Sequence, residues 1–74
     1  MNVVVGGIYK HFKGHTYKVL TLAKNSETLE DEVVYQNIDT GEVWVRDKVE
    51  FLSLVDKKKY PNVLQEYRFE LVKE

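Results

Sequence analysis

Three short segments of this 74-residue chain carry the side chains best suited to bind or transform a ligand. Residues 25–32, with the sequence NSETLEDE, hold four acidic residues and no base. His11 and Lys13 stand two positions apart in GIYKHFK, and Trp44 and Arg46 do the same in VWVR. Residues two apart in a strand share a face, so each pair would present its side chains together.

Residues 25–32, the acidic connector, have a structural and a functional interpretation. In the structural one, hydroxyls and carboxylates cap free amides of a tight loop, and Leu29 packs the loop onto the domain. In the functional one, the connector lines a groove that faces the two pairs described above. The functional interpretation predicts these ligand-binding residues: His11, Lys13, Ser26, Glu27, Thr28, Glu30, Trp44 and Arg46.

Trp44 and Arg46 are the strongest candidates for a binding surface. An exposed tryptophan offers a large rigid contact, and arginine adds a planar fork of hydrogen-bond donors. The alternative is that Arg46 stacks on Trp44, or pairs with Glu27 or Glu30, and only covers the domain.

A catalytic interpretation of the same residues is weaker. A Ser26–His11–Glu27 or Ser26–His11–Glu30 triad can be written, but no nucleophile-elbow motif precedes Ser26. Metal binding by His11 with the two glutamates is weakly indicated, and the chain has no cysteine for a thiolate site. The sequence therefore predicts no catalytic residue, metal or cofactor. A minimal hydrolase or metal-assisted enzyme is the alternative function.

Composition limits the classes of partner. The chain has 11 basic and 12 acidic residues and a net charge of −1, which argues against strong binding to nucleic acid. Weak nucleic-acid binding through Lys10, Lys13, Lys18 and the lysines at 57–59 is a second alternative. We expect the partner to be a small ligand, a peptide or another protein, bound by a monomer or a weak homodimer.

The sequence also predicts where the protein works. No apolar run approaches the roughly 20 residues that span a bilayer. The first residues, MNVVVGG, do not resemble a secretory signal, because the stretch is short and has no basic flank. We therefore expect a cytoplasmic protein without membrane contact.

Alternation of apolar residues with period two predicts β-strands along most of the chain. GIYKHF (7–12), TYKVLTLAK (16–24), FLSLV (51–55) and YRFELV (67–72) are the candidates besides one hairpin. TYKVLTLAK has apolar residues on both faces, which is typical of a strand covered on both sides. Asp47 is placed to cap one helical turn, and Pro61 suits the first position of a second. A small closed antiparallel barrel fits best, with an open α+β sheet as the alternative.

The hairpin is predicted over residues 33–46, VVYQNIDTGEVWVR. A three-residue loop at 39–41, with glycine in the left-handed region, would place Tyr35 opposite Val45. In that register Val33, Tyr35, Val43 and Val45 face the core. Trp44 then shares the other, half-exposed face with Arg46.

The motifs GIYKHFKG, YKVL, SETLEDEVVY and VWVR, followed by Phe51, resemble a bacterial family catalogued as domain of unknown function 1653. Its members typically read Gly-x-Tyr-basic-His-aromatic-Lys-Gly, then Ser-Glu-Thr-x-Glu, Val-Tyr and Trp-Val-Arg. The resemblance covers roughly residues 7–71 and implies an SH3-like barrel, with no established activity. Here Asp47 replaces the proline that usually follows Trp-Val-Arg, and the tail that begins at Asp56 is longer than usual.

The expectation is therefore one mainly β, SH3-like barrel domain over residues 1–74, with one or two short helical turns. Its predicted function is a small non-catalytic binding module. The groove would lie between the acidic connector and the face that carries Trp44 and Arg46.

Overall fold

Five strands follow the alternating segments of the sequence in a computed structural model that describes residues 2–74. The elements are β1 (Ile8–His11), β2 (Thr16–Lys24), β3 (Asp31–Asn37), β4 (Val43–Asp47), α1 (Lys48–Phe51) and β5 (Phe69–Lys73). All strand pairs are antiparallel, in the order β4–β3–β2–β1–β5. The prediction of a mainly β fold is confirmed. Met1, which the predicted domain includes, lies outside the described residues.

The sheet returns on itself without closing. β5 pairs with β1, so the last strand lies beside the first, but no strand pairing joins β4 to β5 within residues 2–74. The closed barrel is therefore not observed. Side chains span the gap instead, because the Arg46 guanidinium of β4 lies 6.0 Å from the ring centre of Phe69 in β5.

The core fills the inner face of the sheet and is mainly aromatic. Phe51 of α1 is fully buried, as are Val19 and Val33. The Phe51 and Phe69 rings stack with centres 4.1 Å apart, and the Tyr35 ring meets both at steep angles. Each such aromatic pair adds about 0.5–1.5 kcal/mol beyond the apolar area it buries. The short helix thus supplies a side chain that packs against both β3 and β5.

β2 changes face in mid-strand. Its register with β3 shifts at Leu20, which is the extra residue of a β-bulge. Val19 lies opposite Tyr35 before the bulge, and Leu22 lies opposite Val33 after it, so an odd and an even position both turn inward. Leu20 and Leu22 are each 38% exposed. Apolar residues occur at both odd and even positions of β2 because the bulge changes which positions face inward. The prediction of a strand covered on both sides is therefore wrong.

The β3–β4 hairpin forms at the predicted place, but its register differs by one residue. Tyr35 lies opposite Trp44, not Val45, and Val33 lies opposite Arg46. The loop has four residues, 38–41, because Asn37 closes it: its backbone amide donates to the Glu42 carbonyl at 2.9 Å. Loops of four residues are a common hairpin solution beside the three-residue loop.

A one-residue slip exchanges the two faces of a strand. Trp44 and Arg46 therefore share the inner face with Tyr35, whereas Val43 and Val45 point outward and are 55% and 63% exposed. The prediction that Val43 and Val45 belong to the core is wrong. The same prediction is confirmed for Val33 and Tyr35.

Asp47 begins α1 as expected. Its carboxylate accepts hydrogen bonds from the backbone amides of Val49 and Glu50, at 2.8 and 3.2 Å. These bonds satisfy amides that a helix start leaves free.

Two other elements differ from expectation. No helix forms at Pro61, where residues 61–62 lie in a turn. FLSLV contributes an isolated bridge, from Leu54 to Tyr67, in place of a strand. The helix that the structure shows in residues 2–74 has four residues, too few to cross a bilayer.

Candidate functional site

A depression of about 440 Å³ opens beside the β1–β2 turn. Its lining brings together cationic, imidazole and aromatic side chains from distant parts of the chain. The lining residues are His11, Phe12, Lys13, His15, Tyr17, Tyr35, Trp44, Arg46, Asp56, Lys59, Tyr60 and Arg68. Within this lining, Asp56 is the one acidic residue against two lysines and two arginines. We refer to the depression with this lining as the cationic depression.

The floor is the polar edge of the core. The Tyr35 ring is packed in the core with 5% of the residue exposed, and Tyr17 meets it edge-on with ring centres 5.1 Å apart. A buried tyrosine needs a hydrogen-bond partner for its hydroxyl. Here the Tyr35 hydroxyl accepts from Arg46 Nε at 3.3 Å. The floor is therefore packed into the core and is hydrogen-bonded to a charged side chain of the lining.

Arg46 is held from three directions. Besides the Tyr35 bond, its guanidinium lies 6.0 Å from the Phe69 ring centre, and its Nη1 lies 3.8 Å from the Glu50 carboxylate. The side chain is 31% exposed, so the ion pair with Glu50 is partly screened by solvent and contributes little stability. The main effect of these contacts is to hold the Arg46 guanidinium in place at the wall of the depression.

Trp44 stands two residues before Arg46 on β4 and lines the same depression. Trp44 is 49% exposed, which agrees with the prediction of a half-exposed side chain. The predicted face was wrong, since both side chains share the face of Tyr35. The indole is therefore at the rim of the core and not on the outside of the sheet.

A second part of the lining comes from the β1–β2 turn and from the segment after α1. The Phe12 and Tyr60 rings lie 4.9 Å apart between centres. The amines of Lys13 and Lys59 each lie 5.6 Å from the Tyr60 ring centre, within cation–π range. The Asp56 carboxylate accepts from the backbone amide of Lys59 at 3.3 Å and so shapes the turn that brings this segment in.

Arg68 completes the cationic lining from the residue before β5. Its Nε donates to the Ser53 hydroxyl at 3.2 Å, and its backbone amide donates to the Ser53 carbonyl at 2.8 Å. The guanidinium is therefore anchored to the segment after α1.

His11 lies among these cations as a neutral donor. Burial first, and then the positive charges of Arg46, Arg68, Lys13 and His15, lower the pKa of His11 from 6.5 to about 4. Its Nδ1 accepts from the Lys13 backbone amide at 3.1 Å. In the neutral ring the proton is therefore on Nε2, which can donate a hydrogen bond.

The acidic connector lies away from this depression. Ser26 and Glu27 border a shallow depression beside Val45, and Glu30 borders another beside Leu29. The nine residues of β2 separate the connector from the β1–β2 turn, a length of roughly 25 Å at the usual strand rise. The structure thus brings together His11, Lys13, Trp44 and Arg46 but leaves Ser26, Glu27, Thr28 and Glu30 apart from them.

Backbone capping accounts for much of the connector. Asn25 Oδ1 accepts from the amides of Glu27 and Thr28 at 2.9 and 3.1 Å, and Thr28 Oγ1 accepts from the Glu30 amide at 3.3 Å. Leu29 does not pack the loop onto the sheet, because it is 72% exposed.

The constellation for the enzymatic alternative is not assembled. His11 lines the cationic depression, whereas Glu27 and Glu30 border two others. Across residues 2–74, no group of three or more His, Cys, Asp or Glu side chains is positioned to hold a metal ion.

Reasoning from the sequence missed several lining residues. Tyr35 was assigned to the core, which is correct for its ring but not for its hydroxyl. Lys59 and Tyr60 belong to a lysine run whose position depends on the turn at Asp56. Arg68 reaches the site only because β5 pairs with β1, a contact that no local pattern predicts.

Comparison with known proteins identifies the family and nothing more specific. A family model described as "Protein of unknown function (DUF1653)" matches residues 7–71. The chain belongs to this family. No curated protein and no solved structure matches the chain. The matched residues include all of the cationic depression, so the site is built from the family's part of the chain.

Proposed function

We propose that this protein is a small, non-catalytic binding module whose ligand places an anionic group in the cationic depression. The observation that carries the proposal is the gathering of four permanent cations around one opening in a chain of net charge −1. Lys13 comes from the β1–β2 turn, Arg46 from β4, and Lys59 and Arg68 from the segment between α1 and β5. Their mutual repulsion opposes folding and is relieved when an anion enters.

Hydrogen-bond chemistry supports an oxygen-rich anion. Arginine and lysine have donors and no acceptor, and neutral His11 has its acceptor nitrogen engaged by the Lys13 amide. One oxygen of the Asp56 carboxylate, Oδ1, accepts from the backbone amides of Lys58 and Lys59. A phosphate, sulfate or carboxylate group accepts bonds from such donors, and charge-assisted bonds of this kind are about twice as strong as neutral ones.

The site is also well prepared for binding. Arg46 is anchored to Tyr35 and Arg68 to Ser53, so two guanidinium groups are oriented before any ligand arrives. Groups that are already ordered lose less conformational entropy on binding, which favours affinity in a small domain.

Sulfate is a suitable first probe, because its charge stays constant across the working pH range. Titration at fixed ionic strength, followed by NMR, is expected to shift the signals of His11, Lys13 and Arg46 along one saturation curve. Lys59→Gln should weaken sulfate binding several-fold. Lys58→Gln is the matched control, because Lys58 is the adjacent exposed lysine and does not line the depression. Equal affinity of the Lys58 and Lys59 variants, or shifts confined to other surfaces, would contradict the proposal.

Proton linkage gives a second test of the same site. A bound anion stabilises protonated His11, so it should raise the pKa of His11 from its low value of about 4. The complex then binds more protons than the free protein, and sulfate affinity should rise as the pH falls from 7 towards 4.5. His11→Gln should reduce this dependence. If the slope is the same in the wild type and the His11 variant, His11 does not face the anion.

A further inference from the structure

Trp44 adds an exposed aromatic ring to the cationic depression, and binding of an anion alone does not require such a ring. The indole is about half exposed at the rim, where a large aromatic ring exposes apolar area to water without contributing to the core. Its position two residues before Arg46 places the two side chains roughly 6.6 Å apart along β4. A flat ring surface and a guanidinium thus stand side by side on one wall.

A second part of the lining repeats this combination of ring and charge. The amines of Lys13 and Lys59 each lie 5.6 Å from the Tyr60 ring centre. The lining therefore offers aromatic surface and cations in two places. Nucleic-acid bases stack on such aromatic platforms whatever their sequence, while nearby cations hold the phosphate.

The size of the depression limits the ligand. Its volume of about 440 Å³ is in the range of small-molecule sites. Beyond the lining, the same sheet exposes Val43 and Val45 on β4 and carries the acidic connector at the far end of β2. A nucleic-acid strand would need a basic track that continues past the opening. The small volume of the depression favours a single nucleotide unit.

Resting on the anion site of the proposed function, we propose that the ligand is a nucleoside monophosphate. Its base stacks on the Trp44 indole, and its phosphate is held by Arg46, with His11 and Arg68 beside it. The base supplies the contact that the exposed indole lacks, and the phosphate supplies the negative charge that the four cations lack.

Trp44 is the one tryptophan of the chain, so intrinsic fluorescence reports directly on stacking at this residue. Four probes separate the contributions: adenosine 5′-monophosphate, ribose 5-phosphate, inorganic phosphate and adenosine. We expect adenosine 5′-monophosphate to quench the fluorescence and to bind at least about tenfold more tightly than ribose 5-phosphate. Ribose 5-phosphate and inorganic phosphate should bind, as seen by NMR shifts at Arg46, with little quenching.

Substitutions then assign each part of the ligand. Trp44→Ala should abolish the advantage of adenosine 5′-monophosphate over ribose 5-phosphate, with both affinities measured by NMR shifts at Arg46. Trp44→Phe should keep part of that advantage. Val45→Ala is the control, because this neighbouring side chain is exposed on the outer face. Arg46→Gln should weaken both phosphates.

The outcomes separate this inference from the proposed function. If adenosine 5′-monophosphate binds no more tightly than ribose 5-phosphate, the base has no site and the nucleotide inference fails, while the anion site remains. If neither phosphate compound nor sulfate binds, both fail. If single-stranded oligonucleotides bind a hundredfold more tightly than the monophosphate, the ligand is a strand and the inference is wrong.

Discussion

The β2–β3 and β3–β4 loops are built by the same hydrogen bonds on closely similar sequences, NSETLE at 25–30 and NIDTGE at 37–42. In each, the asparagine carboxamide oxygen accepts from the amides two and three residues on, at 2.9 and 3.1 Å in the first loop and 2.8 and 3.1 Å in the second. In each, the threonine hydroxyl accepts from the following glutamate amide at 3.3 Å. One loop design therefore occurs twice in this chain.

The two loops differ at the fifth position. Gly41 has φ +79° and Leu29 has φ +64°, both in the left-handed region. Glycine enters this region without a steric penalty, whereas a leucine rarely does. Since the hydrogen bonds are alike, the loop design tolerates leucine at a cost. The Ser-Glu-Thr-x-Glu pattern of the connector is thus largely explained by the needs of a hairpin loop. The loop at 37–42 uses Asn, Thr and Glu at the same positions to make the same hydrogen bonds.

The loops differ also in burial. Asn37 is 8% exposed and sits under the hairpin, whereas Asn25 is only half-buried. Asn25 has additional support, since its amide nitrogen donates to Glu32 at 3.3 Å and a Lys24–Asp31 ion pair of 2.6 Å closes the strands beside it. The same bonds should therefore contribute different amounts of stability in the two places.

The largest expected effect tests this difference in burial. Asn37→Ala removes the acceptor of two amides in a buried setting and should lower the free energy of unfolding by about 2 kcal/mol. Asn25→Ala should cost about 1 kcal/mol, because solvent can replace its bonds. Urea denaturation of both variants measures the pair, and Asn37→Asp is a control that keeps the acceptor. An equal or larger loss for Asn25→Ala would show that burial does not set the contribution.

A smaller effect tests the left-handed position of the second loop. Gly41→Leu should destabilise the protein by about 1 kcal/mol, the steric cost of a left-handed leucine less the lower entropy of its unfolded chain. Crowding adds little, since the nearest atom to a Cβ at this position is Gln36 Nε2 at 4.0 Å. The free energy of unfolding in urea measures the change. A neutral result would mean that the loop readily adopts another turn.

The reverse exchange, in the first loop, should change the free energy of unfolding by a somewhat smaller amount and in the opposite direction. Leu29→Gly relieves the strained residue and should raise the free energy of unfolding by about 0.5 kcal/mol. Leu29 is 72% exposed, so little packing is lost. The two positions lie at opposite ends of β3, and the double variant should therefore show the sum of the single changes. A destabilised Leu29→Gly protein would mean that Leu29 makes a stabilising contact, which the loop comparison does not include.

These loops also show how far the sequence could predict the fold. Alternation located β2 as Thr16–Lys24 and placed the second hairpin, because both signals are local. The register was missed because Asn37 closes a loop that is one residue longer: its backbone amide donates to Glu42, and its side-chain oxygen accepts from the amides of Asp39 and Thr40. That one residue decides whether Trp44 lies beside Tyr35 or on the opposite face.

The candidate site was predictable only in part, for the same reason. His11, Lys13, Trp44 and Arg46 were identified from residue type, and all four line the cationic depression. Lys59, Tyr60 and Arg68 enter it through the turn at Asp56 and the pairing of β5 with β1. These are contacts between distant parts of the chain, and a pattern of residues along the chain does not encode them directly.

The smallest expected effect uses the two loops to test how the depression attracts its ligand. Glu42 is two residues from Trp44 on β4, whereas Glu27 lies at the far end of β2. Interactions beyond about 10 Å are screened at ordinary ionic strength. Glu42→Gln should therefore strengthen sulfate binding by less than about twofold, and Glu27→Gln should leave it unchanged. Titration of both variants at two salt concentrations measures the difference. An equal gain from Glu27→Gln at high salt would mean that the connector approaches the depression after all, and that its acidic residues act on the ligand directly.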